Sequence, residues 1–392
     1  MSSKNNSTRI LIVSRDIEIG GMQRAAITLA QNLVNAGISV DYFCLFKRRD
    51  PEEFKEIDAR IKLFQPMYYR ETTPKWFYIV YNYLRLKSVS NQFKYDRILS
   101  FGEHFNGFNI LALWSHRKRL FVLDRMNPEL NCGFPNEYLR RNIYKYTKGL
   151  IAQTDFAKEV LYLKTHHPNI RVIRNFLSLN DKVIKELQEA RFENSLMESP
   201  LPQLLFVGRL SPEKGVSTLI ESALKLMNDD AKFQLNIVGE GVLMNELMLQ
   251  YSTAMATSKR TTNENITPII SFHGAVSEPV GFFKSSHIFI LPSLSEGFPN
   301  VLIEAMSAGM ACIVSDRLKN KLSFLKDNEN VVFFECENYM DLTDKINHIL
   351  TDAVLWNKLS KNAMKLASWF QTDSILNEYL EVLDLNQSCV KR

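Results

Sequence analysis

The sequence predicts an α/β protein built from two Rossmann-like domains, each with a parallel sheet. Three observations carry that prediction. The chain opens on a strand, helix, strand succession; the same alternation restarts after residue 200; and a charged, proline-ended stretch lies between the two. With 392 residues, 45% of them hydrophobic, the chain is long enough to bury more than one core.

Taken in order, RILIVSRDIEIGG reads as a β-branched strand broken by Gly20 and Gly21. MQRAAITLAQNLVNAG reads as a helix closed by Gly37, and ISVDYFCLF as the next strand. DRILSF, KRLFVLD, GLIAQ and IRVIRNF add strands as far as Phe176, so residues 1–180 form a first domain. DKVIKELQEARFENSLMESP, polar and ended by Pro200, is the expected linker over 181–200, part of it helical. QLLFVG, FQLNIVG, IISFHG, HIFILPS, ACIVSD and NVVFF then build a second sheet in a domain spanning 201–365, with MATSKR and TTNEN as a surface loop. Residues 366–392 keep helical spacing with a bend near Phe370, a segment able to cross back to the first domain. Ligands of such sheets bind at the carboxyl ends of the strands, here in the cleft where two domains face each other.

Composition narrows the function. Lys plus Arg outnumber Asp plus Glu 31 to 21 over residues 1–200 and are outnumbered 22 to 17 over 201–392. That polarity can steer an anionic substrate or a membrane surface toward the first half. Nucleic acid is not expected, since no binding module is visible and the second domain has no cationic excess. Cys44, Cys132, Cys312, Cys336 and Cys389 show no paired spacing, which favours a reducing cytoplasm and gives no structural metal. The apolar run ILIVS after MSSKNNSTR is too short for a signal-peptide core, and no stretch approaches the roughly 18 apolar residues of a spanning helix. The expectation is a soluble protein, or one peripheral at the cytoplasmic membrane face.

Several loops carry chemistry. In VGRLSPEKG, Ser211 reads as a helix cap and Pro212 as the first helical residue. Arg209 and Lys214 then stand beside helix amides, where a cation opposes the dipole unless an anion is near; together they can hold a phosphate. A solvated loop with unrelated charges is the other reading. IVGEG places Gly239 and Glu240 after a strand, as a tight turn or a close backbone approach, but Met244 stands where a dinucleotide fingerprint needs its third glycine. SFHGAV puts His273 and Gly274 at a strand end, where amides can meet a base or phosphate.

SEGFPNVLIEAMSAG is the richest stretch. Glu296 and Gly297 occupy a loop, and Asn300 reads as the cap of a helix that Gly309 ends. The amides of Gly297, Phe298 and Val301 can meet a diphosphate. Glu304 can accept from ribose hydroxyls and Glu296 from a sugar hydroxyl. The alternative is an acid favoured by the helix dipole beside an ordinary loop acid. Gly20 and Gly21 offer further unobstructed amides, or a plain turn; Arg15 and Asp16 are too generic to assign. In FGEHFNGFN, His104 can take an acceptor proton or fix a phosphate, with Glu103 and the later Arg125 as acceptor-side candidates. MYYRETTPKWFYIVYNYLRLKS, a helix from near Pro74, carries Arg70, Lys75, Arg85 and Lys87 around an aromatic face, for internal packing or for membrane headgroups and a lipid-linked acceptor.

Together GGMQR, VGRLSPEKG, IVGEG, FHGAV and SEGFPNVLIEAMSAG resemble the retaining family-four glycosyltransferases of GT-B architecture, over nearly the whole chain. The resemblance implies a nucleotide-sugar donor bound mainly by the second domain and an acceptor bound mainly by the first. It makes Arg209 and Lys214 the diphosphate pair, Glu304 the ribose acceptor, and Glu296 with the amides near Gly297 and Phe298 the group that orients sugar and phosphate. Gly21 approaches from the first domain. FGEHFNGFNILAL and LFVLDRMNP look like a subgroup that extends bacterial surface or lipid-linked glycans, with His104 and Arg125 on the acceptor side. Gln23 stands where relatives often have glutamate, and RLKNKLSF lacks a glycine-rich continuation seen in many relatives. No D-x-D metal site is present, so protein groups are expected to neutralise the diphosphate, with no cofactor beyond the nucleotide sugar. The expected reaction is transfer of a hexose-type unit from a UDP-sugar to a glycan or polyprenyl-lipid-linked saccharide in polysaccharide or glycoconjugate synthesis. A nucleotide-sugar hydrolase or epimerase, or a binding protein without turnover, stay open as alternatives.

Overall fold

Strands that read as continuous apolar runs are covered on both faces, and both sheets are built that way. The computed structural model describes residues 8–17, 21–47, 57–177, 179–193, 199, 201–257 and 269–385. Gly20, residues 258–265 of the expected surface loop, and Cys389 lie outside the described residues. The chain divides into two compact units, one holding residues up to 178 and from 372 on, the other residues 179–371.

In the first unit, β1 (Arg9–Ser14), β2 (Ser39–Cys44), β3 (Lys62–Phe64), β4 (Arg97–Phe101), β5 (Leu120–Leu123), β6 (Gly149–Ala152) and β7 (Ile170–Val172) form a parallel sheet in the order β3-β2-β1-β4-β5-β6-β7. Ile10 pairs with Val40 on one side and Arg97 on the other. Strand β3 was not visible in the sequence, because Leu63 and Phe64 are an apolar pair bounded by Lys62 and Gln65 and form no longer run. Helices α1 (Gly21–Asn35), α2 (Lys75–Gln92), α3 (Glu103–Ala112), α4 (Asn136–Ile143) and α5 (Asp155–Thr165) connect the strands. Helix α5 starts where Thr154 accepts from the Ala157 N–H. Val13, Ile98 and Val122 of the sheet are buried with Leu86 of α2 and Ile110 of α3.

The second unit contains β8 (Gln203–Val207), β9 (Gln234–Val238), β10 (Ile270–Phe272), β11 (Ile288–Leu291), β12 (Ala311–Ser315) and β13 (Val332–Phe334), all parallel, in the order β10-β9-β8-β11-β12-β13. Around them run α6 (Asp181–Glu193), α7 (Val216–Asn228), α8 (Met244–Thr257), α9 (Val280–Ser285), α10 (Asn300–Ser307), α11 (Tyr339–Thr351) and α12 (Ala353–Ala367).

Most of the stretch expected as a linker is α6, and it is anchored within the second unit. Buried Arg191 donates to the carbonyls of Ser286 at 2.5 Å, Phe283 at 2.7 Å and Ala308 at 3.2 Å. The sequence shows a charged helix; it cannot show that one of the charges is turned onto carbonyls more than ninety residues away. The loop expected to begin at MATSKR also starts later, since α8 runs to Thr257.

Helix α13 (Thr372–Val382) belongs to the first unit. Its Tyr379 stacks on Phe176 with ring centroids 5.9 Å apart, and the carbonyl of Leu383 just beyond accepts from Arg97 Nε at 2.6 Å. A short turn over Ser368–Phe370 separates it from α12.

In each sheet the strand order reverses between two neighbours, β1 and β4 in the first and β8 and β11 in the second. Connections leave the carboxyl ends of such neighbours in opposite directions, which opens a crevice where ligands bind.

Candidate active site

The β8/β11 crevice is flanked by the loops that carry VGRLSPEKG and SEGFPN. Lys214 Nζ donates to Glu296 Oε1 at 2.6 Å, and the Ser293 hydroxyl donates to the same oxygen at 2.7 Å. The Lys214 side chain is 22% exposed and that of Glu296 11%, so the pair is shielded yet open on one side. The Leu294 N–H donates to the Glu213 carbonyl at 2.9 Å, tying one loop to the other. Arg209 is exposed at the start of the first loop. Ser293 went unnoticed in the sequence; its only signal is its place at the end of HIFILPS.

Close backbone packing sets these loops. Gly215 has φ +64°, and a Cβ there would stand 2.1 Å from the Pro292 carbonyl oxygen. Gly239 has φ +135°, and its Cβ would stand 1.9 Å from the Gly208 oxygen. Neither position tolerates a side chain. The Gly239 N–H donates to the Gly274 carbonyl at 2.7 Å, which joins the two neighbouring loops through the Gly239 amide. Glu240 does similar work: its carbonyl accepts from the Leu210 N–H at 2.8 Å and its carboxylate from the Ala275 N–H at 3.2 Å.

Two expected caps are corrected. Ser211 holds the capping position of the Pro212–Lys214 turn, but its hydroxyl donates to Glu213 Oε1 at 2.6 Å and caps no amide; that bond holds the Glu213 carboxyl below its ordinary range. Pro212–Lys214 is a tight turn, and α7 begins only at Val216 with Gly215 at its cap. Asn300 is the first residue of α10; the capping position is Pro299, which has no side-chain acceptor. Glu304, one turn on, is buried. The buried Phe298 ring clusters with Phe324 at 6.4 Å and Phe370 at 5.8 Å, anchoring the loop between Gly297 and Val301.

The β1/β4 crevice of the first unit is built differently. Gly102, at φ +104°, turns the chain into α3, leaving His104 exposed on the first turn. Glu103 and Arg125 are turned inward. Glu103 is buried, which raises its carboxyl pKa, and its Oε2 accepts from the Arg125 N–H at 3.4 Å. The Arg125 guanidinium donates to Asn175 Oδ1 and to the Tyr379 hydroxyl, two partners that nothing in the sequence connects to it. Gln23 has a physical explanation: its amide donates to Asp16 Oδ1 at 3.0 Å, where a glutamate would set a second carboxylate against Asp16. Behind the crevice, buried Asp124 pairs with Arg140 at 2.8 Å, and burial still pushes the Asp124 carboxyl up to about 7. Gly21 opens α1. Among the described residues, no group of three or more His, Cys, Asp or Glu could hold a metal ion, and no helix is long and apolar enough to cross a membrane.

Comparison with known proteins agrees with this architecture. Residues 188–366 match the family Glycosyl transferases group 1, and residues 19–181 match Glycosyltransferase Family 4. Two curated relatives come from Campylobacter jejuni subsp. jejuni. N,N'-diacetylbacillosaminyl-diphospho-undecaprenol alpha-1,3-N-acetylgalactosaminyltransferase is 24% identical over 326 residues, 79% of this chain and 82% of its own. GalNAc-alpha-(1->4)-GalNAc-alpha-(1->3)-diNAcBac-PP-undecaprenol alpha-1,4-N-acetyl-D-galactosaminyltransferase is 22% identical over 383 residues, 96% of this chain and 98% of its own. The crystal structure of Anabaena HepE in complex with UDP and glucose superimposes with a TM-score of 0.72 at 15% identity, covering 96% of this chain and 99% of that one. Two parallel α/β units, each matched by a glycosyltransferase family model, thus carry the GT-B fold of the solved glycosyltransferase structures.

Proposed function

We propose that the chain is a retaining glycosyltransferase that moves a hexose-type sugar from a UDP-sugar to a hydroxyl of a glycan or polyprenyl-lipid-linked saccharide, in surface polysaccharide or glycoconjugate synthesis at the cytoplasmic membrane face. The observation that carries this reading is the Lys214, Glu296 and Ser293 cluster at the β8/β11 crevice. The two relatives named for transfer to undecaprenol-linked saccharides support the acceptor class.

In this reading the second unit takes the donor and the first the acceptor. With no anion nearby, Lys214 and Glu296 neutralise each other. A donor diphosphate draws Lys214 toward its oxygens, with Arg209 as the second cation, and frees a Glu296 oxygen for a hydroxyl of the donor sugar. Ser293 keeps that carboxylate aimed. Glu304 accepts from the ribose, and the amides of Gly297 and Phe298 face the phosphates. The acceptor oxygen, positioned by His104, bonds to the anomeric carbon on the face from which the diphosphate departs. The bond from that carbon to the diphosphate oxygen breaks, and the acceptor proton passes to the leaving phosphate. Charge stabilisation of the departing diphosphate is the main catalytic contribution, and no enzymic nucleophile is required.

A panel of donors tested with free and lipid-linked glycan acceptors decides the reaction. The expected product is an acceptor heavier by one glycosyl unit with its anomeric configuration kept. Free sugar without acceptor would make the protein a hydrolase, an interconverted donor an epimerase, and binding without product a binding protein.

A further inference from the structure

Helix α2 leaves an apolar face uncovered. Trp76 is 70% exposed and Leu84 58%, and Phe77, Ile79 and Val80 are exposed with them. At 3.6 residues per turn these five share one continuous arc, while Tyr78, Leu86 and Val89 lie on the buried side. The preceding loop widens the surface. The Met67 N–H donates to the Tyr81 hydroxyl at 3.0 Å, Tyr68 packs edge-on against Tyr81 and Phe77, and the Met67 side chain is itself 72% exposed.

The inner face is firmly fixed, so the exposure is not loose packing. The Tyr78 hydroxyl donates to the Leu45 carbonyl at 2.8 Å, and Arg85 donates to the carbonyls of Phe64 at 2.7 Å and Cys44 at 3.0 Å. Arg85, expected at a cationic edge, is therefore an internal strut. Of the remaining cations, Lys75 and Lys87 are exposed on α2 and Arg70 is exposed in the preceding loop, beside Glu71 and 5.0 Å from the Phe46 ring; α2 itself contains no acidic residue. Lys75 sits in the first turn, where a cation opposes the helix dipole unless an anion lies close.

We propose that this face, Met67 with the exposed arc of α2, docks on an anionic lipid bilayer, the helix lying in the headgroup plane without crossing. The chemistry matches at each level. Trp and Tyr rings suit the boundary between water and acyl chains, the aliphatic side chains enter it, and Arg70, Lys75 and Lys87 meet lipid phosphates. A symmetric pairing of two copies through the same face would set these cations against one another, which favours the anionic bilayer as the occupant. Only the consequence, that docking brings the first unit to lipid-linked acceptors, rests on the proposed reaction.

Cosedimentation of the full chain with vesicles of phosphatidylcholine, with and without phosphatidylglycerol, tests the surface without donor or acceptor. Wild type should pellet with the phosphatidylglycerol vesicles and stay in solution with pure phosphatidylcholine. Trp76→Ser, Val80→Ser and Leu84→Ser combined should lower partitioning more than about tenfold. Lys75→Glu with Lys87→Glu should lower it by at least about fivefold per charge while leaving the apolar residues in place, so a folding defect in the first variant does not blur the result. Equal pelleting with both vesicle types, none with either, or unchanged pelleting of both variants overturns the proposal. So does a wild-type dimer in sedimentation velocity that the triple serine variant dissolves. Failure here leaves the transferase assays untouched, and a lipid-bound protein without turnover would refute the reaction alone.

Discussion

The two crevices share a topology and differ in how they are finished. At β8/β11 the flanking loops are bonded to each other, Gly215 admits no side chain, and a cation and a serine hydroxyl meet on one carboxylate oxygen. At β1/β4 the carboxylates and Arg125 are turned into the interior, and His104 is left exposed beside a glycine turn. A rigid, charged crevice suits a ligand whose phosphates never vary. A crevice with a firm base and a sparse rim suits one whose hydroxyl presentation changes between substrates.

The largest test of that contrast is Lys214→Ala, which should lower kcat by ~10²–10³, about 3–4 kcal/mol of transition-state stabilisation, with Arg209→Ala acting in the same direction. Steady-state turnover at saturating donor measures it, and near-normal rates for both variants would remove the donor assignment of the second crevice. Arg191→Met should cost the second unit about 3 kcal/mol, since three carbonyls lose their donor, and hydrogen exchange should show loosening there while first-unit amides keep their protection.

Acid should weaken both units alike. Burial lowers His167 of the first unit and His287 of the second to about 4, each accepting a backbone N–H at Nδ1. Their neutral forms are favoured in the folded state, so the stability they contribute is full above the unfolded value near 6.5 and is lost as pH falls from there toward about 4. Melting temperatures followed across that window should decline, and His287→Gln should flatten the decline; an unchanged slope would assign it to other groups. Ser293→Ala should lower kcat about tenfold with the melting temperature nearly constant, and Ser293→Thr should restore part of it, as expected of a residue that aims Glu296. The smallest effect belongs to His104→Ala, a several-fold rise in acceptor KM with donor KM unchanged; a rise in donor KM instead would place His104 on the wrong side of the reaction.

Legibility followed the range of the interaction. HIFILPS and QLLFVG announce buried parallel strands because their apolar residues are consecutive, and the glycines and prolines after them mark loops that the structure does place at a crevice. Helix caps were less legible. Ser211 and Asn300 have capping side chains, yet a carboxylate two residues away captures the first, and the turn at Phe298 starts the helix one residue before the second can act. Composition misled at α6, where a charged surface helix and a linker have the same letters until Arg191 finds its carbonyls.

By itself, then, the sequence determined two parallel α/β layers and the loops bearing Arg209, Lys214, Glu296 and His104, because burial on both faces and turn punctuation are written in neighbouring residues. Tertiary structure alone decided that Lys214 meets Glu296 eighty-two positions away, that Arg125 closes on Asn175 and Tyr379, and that Trp76 stays outside. Those outcomes depend on which strands become neighbours and which helix face is covered, and distant segments settle that only when they pack together.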